Sequence, residues 1–461
     1  LLKDIKRIHF IGIGGYGMSA LARVLLHLGC NISGSDLQAS EITEKLALKG
    51  AKIHFGHAAE NLGEAELVVY STAIPDDNPE LLAARGKGLP VWHRSELLAH
   101  FMNARFGIAV AGAHGKTTTT SMVALVLTRS GQDPTAFIGG LLADFDGNAR
   151  LGDSKYLVAE ACESDHSFLR YRPDIAVVTN IEADHLEHYG GDFNRLLDAY
   201  QAFLKNIKPG GCAVLYAPDP HLEKMELPAG VTAVTYGREQ GADWRADSLA
   251  VAGWGTRFNV FRQEMLLGEV TLRVPGVHNV DNALAALAAA DCIGLSFADI
   301  KEGLEQFFGT KRRFQFLYNG QGITVVDDYA HHPTEVEATL KAARYGKPER
   351  VTAIFQPHRY NRTKLFMDEF AAAFDSADKV YLHKIYSAGE QPIPGITSAE
   401  LAGRMLARGI NVIQLDEADE IIDRVVTEAR RGDLILSMGA GDVTDIGHSI
   451  ARRLLQRGNS G

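Results

Sequence analysis

The sequence predicts an α/β protein of three domains with mostly parallel sheets, and three observations carry that expectation. Short apolar strands alternate with helical stretches along all 461 residues, the pattern of parallel sheets covered by helices. Two strands run directly into glycine-rich turns that open helices, Gly12-x-Gly14-x-x-Gly17 and Gly112-Ala-His-Gly115-Lys116-Thr117. A single core stops growing well short of this length, and roughly 100 to 200 residues per domain gives about three.

Composition narrows the class. With 46% hydrophobic and 23% charged residues the chain reads as an ordinary globular protein. A net charge of −10 without a long Lys/Arg run argues against nucleic acid or an anionic membrane as partner. Cys30, Cys162, Cys212 and Cys292 lack C-x-x-C spacing, which fits a reduced compartment and neither a zinc site nor a disulfide framework. No apolar run approaches the ~18 residues of a membrane span, and the opening Leu-Leu-Lys-Asp-Ile-Lys has no signal-peptide pattern, so a cytoplasmic location is expected.

The first segment, expected over residues 1–104, opens with the strand Arg7 to Ile13, the glycine loop and the helix Met18 to Leu28. A second strand from Asn31 ends at Asp36, where an acidic side chain suits ribose hydroxyls. This is a Rossmann-like opening, and alone it suggests NAD. Further strands are expected in Ala51 to His57 and Leu67 to Ile74.

The second segment, expected over 105–316, starts from the strand before Gly112 and is P-loop ATPase-like. Amides of Gly112, Ala113, His114 and Gly115 at a helix N-terminus would cradle phosphates, Lys116 would reach the β and γ oxygens, and Thr117, followed by Thr118, would sit on Mg²⁺. Val110 stands where the standard loop has its first glycine, so a shortened variant is implied. Glu160 ends the strand Tyr156 to Glu160 and suits Mg²⁺. His185, just beyond the strand Ile175 to Ile181, is a further candidate that competes with Glu182 and Asp184. Asn279 and Asn282 open an alanine-rich helix, where they suit either a nucleotide or N-capping.

The third segment, expected over 317–461, is again Rossmann-like. Asp327-Asp328-Tyr-Ala-His331-His332 and Gln356-Pro-His358-Arg359 with Arg362-Thr363 each follow a strand. Two acids and two histidines in one loop exceed what packing needs, and the arginines suit bidentate capture of a carboxylate. Lys311-Arg312-Arg313 at the proposed junction suits a polyphosphate or a plain solvated surface.

Together these motifs, with Asn148-Ala-Arg150, Glu163-Ser-Asp165 and Asn180-Ile-Glu-Ala-Asp-His185, resemble one family along essentially the whole chain: the Mur ligases, the ATP-dependent cytoplasmic ligases that build the peptide stem of bacterial peptidoglycan. The resemblance implies that the first glycine loop binds the UDP of UDP-N-acetylmuramate rather than NAD, through Gly14, Gly15, Gly17, Asp36, His57 and Ser71. It implies that the lactyl carboxylate attacks the γ-phosphate of ATP and that L-alanine then attacks the acyl phosphate.

By the same resemblance Lys116, Glu160, His185, Arg313 and Asp328 are catalytic, and Thr117, Glu160 and His185 hold Mg²⁺ or Mn²⁺. Asn279 and Asn282 serve ATP. His331, Arg359 and Arg362 face the alanine and the sugar nucleotide, and the third domain closes on ATP. A monomer or homodimer is expected. Two departures stand out: Cys162 replaces the aspartate of many relatives, and residues 186–195 contain no lysine, in keeping with the alanine-adding branch. The rival readings are a recycling ligase for a preformed tripeptide, an NAD-dependent dehydrogenase and a noncatalytic nucleotide switch.

Overall fold

The computed structural model describes residues 5–145, 147–164 and 166–459; Asp165 of the Glu163-Ser-Asp motif lies outside them. The described residues form two compact units. One comprises the stretches Leu1–Asp247, Asn259–Val270 and Asp281–Phe307, and the other Ser248–Phe258, Thr271–Val280 and Phe308–Gly461.

The first unit contains a five-stranded parallel sheet in the order Lys52–Phe55, Asn31–Asp36, Arg7–Ile11, Leu67–Tyr70, Val91–His93. The earliest strand is central, and the chain winds outward on one side before it returns to the other. The switch point therefore falls at the carboxyl end of Arg7–Ile11, where doubly wound sheets place ligands. Met18, Leu21, Ala22 and Leu25 recur at helical spacing on Tyr16–His27 and join Ile8, Phe10, Leu67 and Val69 in one core.

The unit also holds the parallel part of a ten-stranded sheet, in which Phe106–Ala111 lies between Ile175–Val178 and Tyr156–Glu160. Ile108, Ala109 and Val110 are fully buried, as expected of a parallel strand covered on both faces. The helix Lys116–Arg129 is buried all along Thr117 to Leu127, so its sequence shows little amphipathic stripe. Gly147–Arg150 adds an antiparallel edge.

The second unit contains a six-stranded sheet in the order Gln315–Gly320, Ile323–Asp328, Asp433–Met438, Arg350–Phe355, Lys379–Leu382, Val412–Gln414. All of its neighbours are parallel except Gln315–Gly320, which runs antiparallel to Ile323–Asp328. The carboxyl ends of Ile323–Asp328, Asp433–Met438 and Arg350–Phe355 thus sit side by side.

Several elements differ from expectation at their ends. The strands from Arg7, Leu67 and Ile175 stop at Ile11, Tyr70 and Val178. After Ile11 the amides of Gly12 and Ile13 turn to share Ser35 O, at 2.8 and 3.0 Å. After Val178 the Thr179 hydroxyl and the Asn180 amide bond His114 O. In these three strands the ladder gives way to a loop two to four residues before the apolar run ends. The strand Gln315–Gly320 is absent from the sequence reading because Tyr-Asn-Gly resembles a turn, yet it pairs as a hairpin with the next strand.

Candidate functional site

The phosphate loop turns through two glycines of positive φ, Gly112 at +135° and Gly115 at +82°. Gly115 caps the helix Lys116–Arg129 at φ +82°, with no side-chain cap, so the first helical N–H groups are available to an anion. A Cβ at Gly115 would meet Asn282 Oδ1 at 2.5 Å. Asn282 Oδ1 also accepts from Thr119 Oγ1 at 3.2 Å, so this asparagine packs against the loop that the sequence reading paired it with. Asn279, in the first turn of the helix Val277–Asp291, donates its Nδ2 to Pro275 O at 2.7 Å, a bond that satisfies a carbonyl and not the first helical N–H groups that N-capping would serve. Thr118 is buried in the helix's first turn.

Lys116 Nζ donates to Gly112 O, to Ala113 O at 3.0 Å and to Glu163 Oε1 at 3.0 Å. Burial works against its charge, but Glu163 first and the other groups around it outweigh burial and hold its pKa above the ordinary lysine value. Thr117 Oγ1 donates to Glu160 Oε2 at 2.8 Å, and Gly139 N–H donates to the same oxygen at 3.1 Å. A hydroxyl and a carboxylate converge here as hard oxygen donors beside the loop, a set that fits magnesium.

The loop is braced by the neighbouring strand's end. His114 N–H donates to Asn180 Oδ1 at 2.9 Å, Asn180 Nδ2 donates to His114 O at 3.0 Å, and Ala113 N–H donates to Asn180 O at 3.1 Å. His114 Nε2 lies 3.3 Å from Glu182 Oε2. His185 adopts φ +56°. Its charged neighbours are Asp184, 3.5 Å from Nε2, and Glu187, 3.8 Å from Nδ1. No hydrogen bond or ion pair found among the described residues joins it to Glu160.

At the first glycine loop, Gly14 N–H donates to Asp36 Oδ2 at 2.8 Å and Leu37 N–H to Oδ1 at 2.8 Å, so both oxygens of the expected ribose-binding acid hold main-chain amides. A Cβ at Gly14 would lie 2.8 Å from that Oδ2. Gly15 caps the helix Tyr16–His27, and Gly17 packs near the Arg94 guanidinium. Ser71 follows the strand Leu67–Tyr70, and its carbonyl accepts from Ile74 N–H at 3.0 Å.

His57 belongs to a network that sequence reasoning missed. Buried Glu80 accepts from Ser35 Oγ at 2.5 Å and Asn61 Nδ2 at 2.6 Å, with His57 Nδ1 at 3.3 Å and His9 Nε2 at 3.6 Å. Burial alone would raise its pKa, but the close His9 and the hydrogen bonds from Ser35 and Asn61 prevail and bring it down to about 2. Glu163 was also not foreseen as a partner of Lys116. It stood only as the first residue of the Glu163-Ser-Asp165 motif, with no role attached.

In the second unit both oxygens of Asp328 accept main-chain N–H groups, from Phe314 at 2.6 Å and Ala330 at 2.7 Å. Burial nevertheless pushes its pKa up to about 6, against the pull of Arg313. Arg313 lies 3.6 Å from Glu335 and packs over the Tyr329 ring. His331 Nδ1 is 2.9 Å from Tyr329 O and 3.3 Å from Glu335 Oε2. His358 contacts the His331 ring edge-on, and its Nδ1 is 3.3 Å from Arg362 NH1. Burial, then His331, Arg362 and Arg359, press the His358 pKa down to about 3. Arg359 stands at φ +69° and heads the short helix Tyr360–Leu365. The candidates His331, Arg359 and Arg362 are thus gathered around His358, with the Glu335 carboxylate beside His331.

Fold and loops together define a phosphate-loop α/β protein whose chain also forms two Rossmann-like sheets. The family models "Mur ligase family, catalytic domain", "Mur ligase middle domain" and "Mur ligase, glutamate ligase domain" match residues 7–106, 110–290 and 312–441. The chain belongs to the Mur ligase family.

It is 49% identical to the UDP-N-acetylmuramate--L-alanine ligase of Symbiobacterium thermophilum over 98% of this chain and 95% of that one. It is 48% identical to the protein of the same name from Syntrophotalea carbinolica, over 98% and 99%. Among solved structures it is similar to UDP-N-acetylmuramate-alanine ligase from Thermotoga maritima, with a TM-score of 0.86, 30% identity and coverage of 98% and 99%. It is also similar to a murein peptide ligase from Psychrobacter arcticus, with a TM-score of 0.72, 27% identity and coverage of 98% of both chains.

Proposed function

We infer that this chain joins L-alanine to the lactyl carboxylate of UDP-N-acetylmuramate at the expense of ATP, releasing ADP and phosphate. The observation that carries the reading is the phosphate loop, in which Thr117 bonds Glu160 and Lys116 bonds Glu163, in a chain that matches L-alanine ligases over nearly its full length.

A carboxylate does not react with an amine until one of its oxygens becomes a good leaving group. Transfer of the γ-phosphoryl to that oxygen supplies one, and the alanine amine then displaces phosphate through a tetrahedral intermediate. Lys116 stabilises the charge on the phosphoryl in flight. Thr117 and Glu160, with His185 as a further candidate, hold Mg²⁺ or Mn²⁺, which when bound neutralises charge between carboxylate and triphosphate. Gly112 to Thr118, Asn279 and Asn282 bind ATP, with Arg313 and Asp328 completing the nucleotide site.

The first glycine loop, with Asp36, His57 and Ser71, takes the UDP sugar, and His331, Arg359 and Arg362 receive the amino acid. We assign these roles to domains over 1–104, 105–316 and 317–461, in a cytoplasmic monomer or homodimer. The second reading, ligation of a preformed tripeptide, is favoured by the likeness to the murein peptide ligase. Phosphate release from ATP, Mg²⁺ and UDP-N-acetylmuramate distinguishes them. Release that requires L-alanine supports the main reading, release only with L-Ala-γ-D-Glu-diaminopimelate supports the second, and none with either rejects both.

A further inference from the structure

Cys212 and Cys292 are 80 positions apart in sequence, yet their Sγ atoms stand 2.7 Å apart. Cys212 is buried and opens the strand Cys212–Tyr216, while half-buried Cys292 follows the helix Val277–Asp291. The sulfurs of a disulfide are about 2.04 Å apart, so bond formation here asks for a movement of less than an ångström.

The backbones that carry the two thiols are fixed relative to each other by a second tie. At the far end of the same strand Tyr216 OH donates to Asp281 Oδ2 at 3.4 Å, and Arg238 Nε donates to Asp281 Oδ1 at 3.0 Å. Strand and helix therefore lie alongside one another, joined at 216 to 281 and at 212 to 292. Between those ties Ala283 through Ala290 are fully buried, which leaves the helix little freedom to slide the sulfurs apart. Neither cysteine belongs to the phosphate loop or to the carboxylates beside it.

We propose that Cys212 and Cys292 form a reversible oxidative modification site, which takes a small peroxide as co-reactant and closes to an intramolecular disulfide. The Cys212 sulfur attacks one peroxide oxygen. The O–O bond breaks, the departing hydroxide takes a proton to leave as water, and Cys212 becomes a sulfenic acid. The Cys292 sulfur then attacks the Cys212 sulfur, its own proton leaving with the displaced hydroxyl as a second water. Two thiols are oxidised and one peroxide is reduced. The hydrogen bond from Cys292, which lowers the Cys212 thiol pKa and raises that of Cys292, suits Cys212 to the first step. Cys292 is half-buried where Cys212 is buried, so the oxidant chosen is hydrogen peroxide, the smallest of its class. A thiol reductant reopens the bond.

The test uses the full chain, with Cys30 and Cys162, also free thiols, as internal references. The protein is treated with hydrogen peroxide, denatured, alkylated with N-ethylmaleimide, digested and mapped by mass spectrometry, and its melting temperature is followed in parallel. The expected result is a Cys212–Cys292 linked peptide that dithiothreitol abolishes. It should come with a rise of several degrees in Tm, because the link closes a long loop without distorting the fold. Cys292→Ser should lose both effects. The proposal is overturned if Cys212 and Cys292 are still alkylated separately at a peroxide dose that has oxidised Cys30 or Cys162. It is equally overturned if the linked peptide forms while Tm stays unchanged or falls. The peptide map of the unsubstituted protein decides the first point whether or not the variant folds.

Discussion

The Thr117 hydroxyl donates to Glu160 Oε2 at 2.8 Å, joining the first turn of one helix to the end of a strand 43 positions later. The two oxygens stand close enough to share one cation. Glu160→Gln keeps the size of the side chain and an acceptor for Thr117 but removes the charge. Turnover should fall on the order of 100-fold with the melting temperature nearly unchanged, and the Mg²⁺ concentration for half-maximal phosphate release should rise. Equal Mg²⁺ dependence in variant and parent would remove Glu160 from the metal site.

Lys116 and Glu163 form a pair whose side chains are 11% and 2% exposed. Lys116→Ala should abolish measurable ligation and also destabilise the protein by about 3 kcal/mol, because the carboxylate is left buried without its partner. Adding Glu163→Gln should recover much of the stability and none of the activity. Chemical denaturation of the single and double variants would show whether the two effects separate.

Gly115→Ala places a Cβ at φ +82°, 2.5 Å from Asn282 Oδ1. The left-handed backbone alone costs about 1–2 kcal/mol, and the loop relieves it by moving its amides. The ATP KM should rise roughly tenfold, with the KM for the UDP sugar unaffected. Gly14→Ala, whose Cβ would lie 2.8 Å from Asp36 Oδ2, should show the opposite selectivity in the two KM values.

Glu80 has its pKa brought down from 4.5 to about 2. A depressed acid contributes its full stabilisation above the unfolded value and loses it as pH falls through the folded one. Glu80→Gln should therefore melt below the parent at neutral pH, and the gap should shrink steadily between about pH 4.5 and about pH 2. A gap that is constant across this window would show that the ionised carboxylate is not what holds the network.

How far the sequence could be read depended on how local each feature is. The phosphate loop is contiguous, so its strand, glycine turn and Lys116 announce themselves together, and Glu160 is marked by the apolar strand that it terminates. Asn282 was legible as a nucleotide candidate near a helix start, but its bond with Thr119, which spans 163 positions, was not. Glu163 stood in a quoted motif without a role and Glu80 gave no sign, their partners lying 47 and 45 positions away on other elements. The hairpin strand Gln315–Gly320 was missed since its stability comes from pairing with Ile323–Asp328 and not from its own pattern.

A carboxylate gripped by Ser35, Asn61, His57 and His9 also constrains ancestry. Losing one donor leaves a charge less well compensated, while losing the acid leaves several donors facing nothing, so single steps away from this arrangement are each disfavoured. These five positions should consequently be inherited as a block. In lineages where residue 80 has drifted, the four around it should have drifted too, and intermediates that carry only part of the set should be scarce.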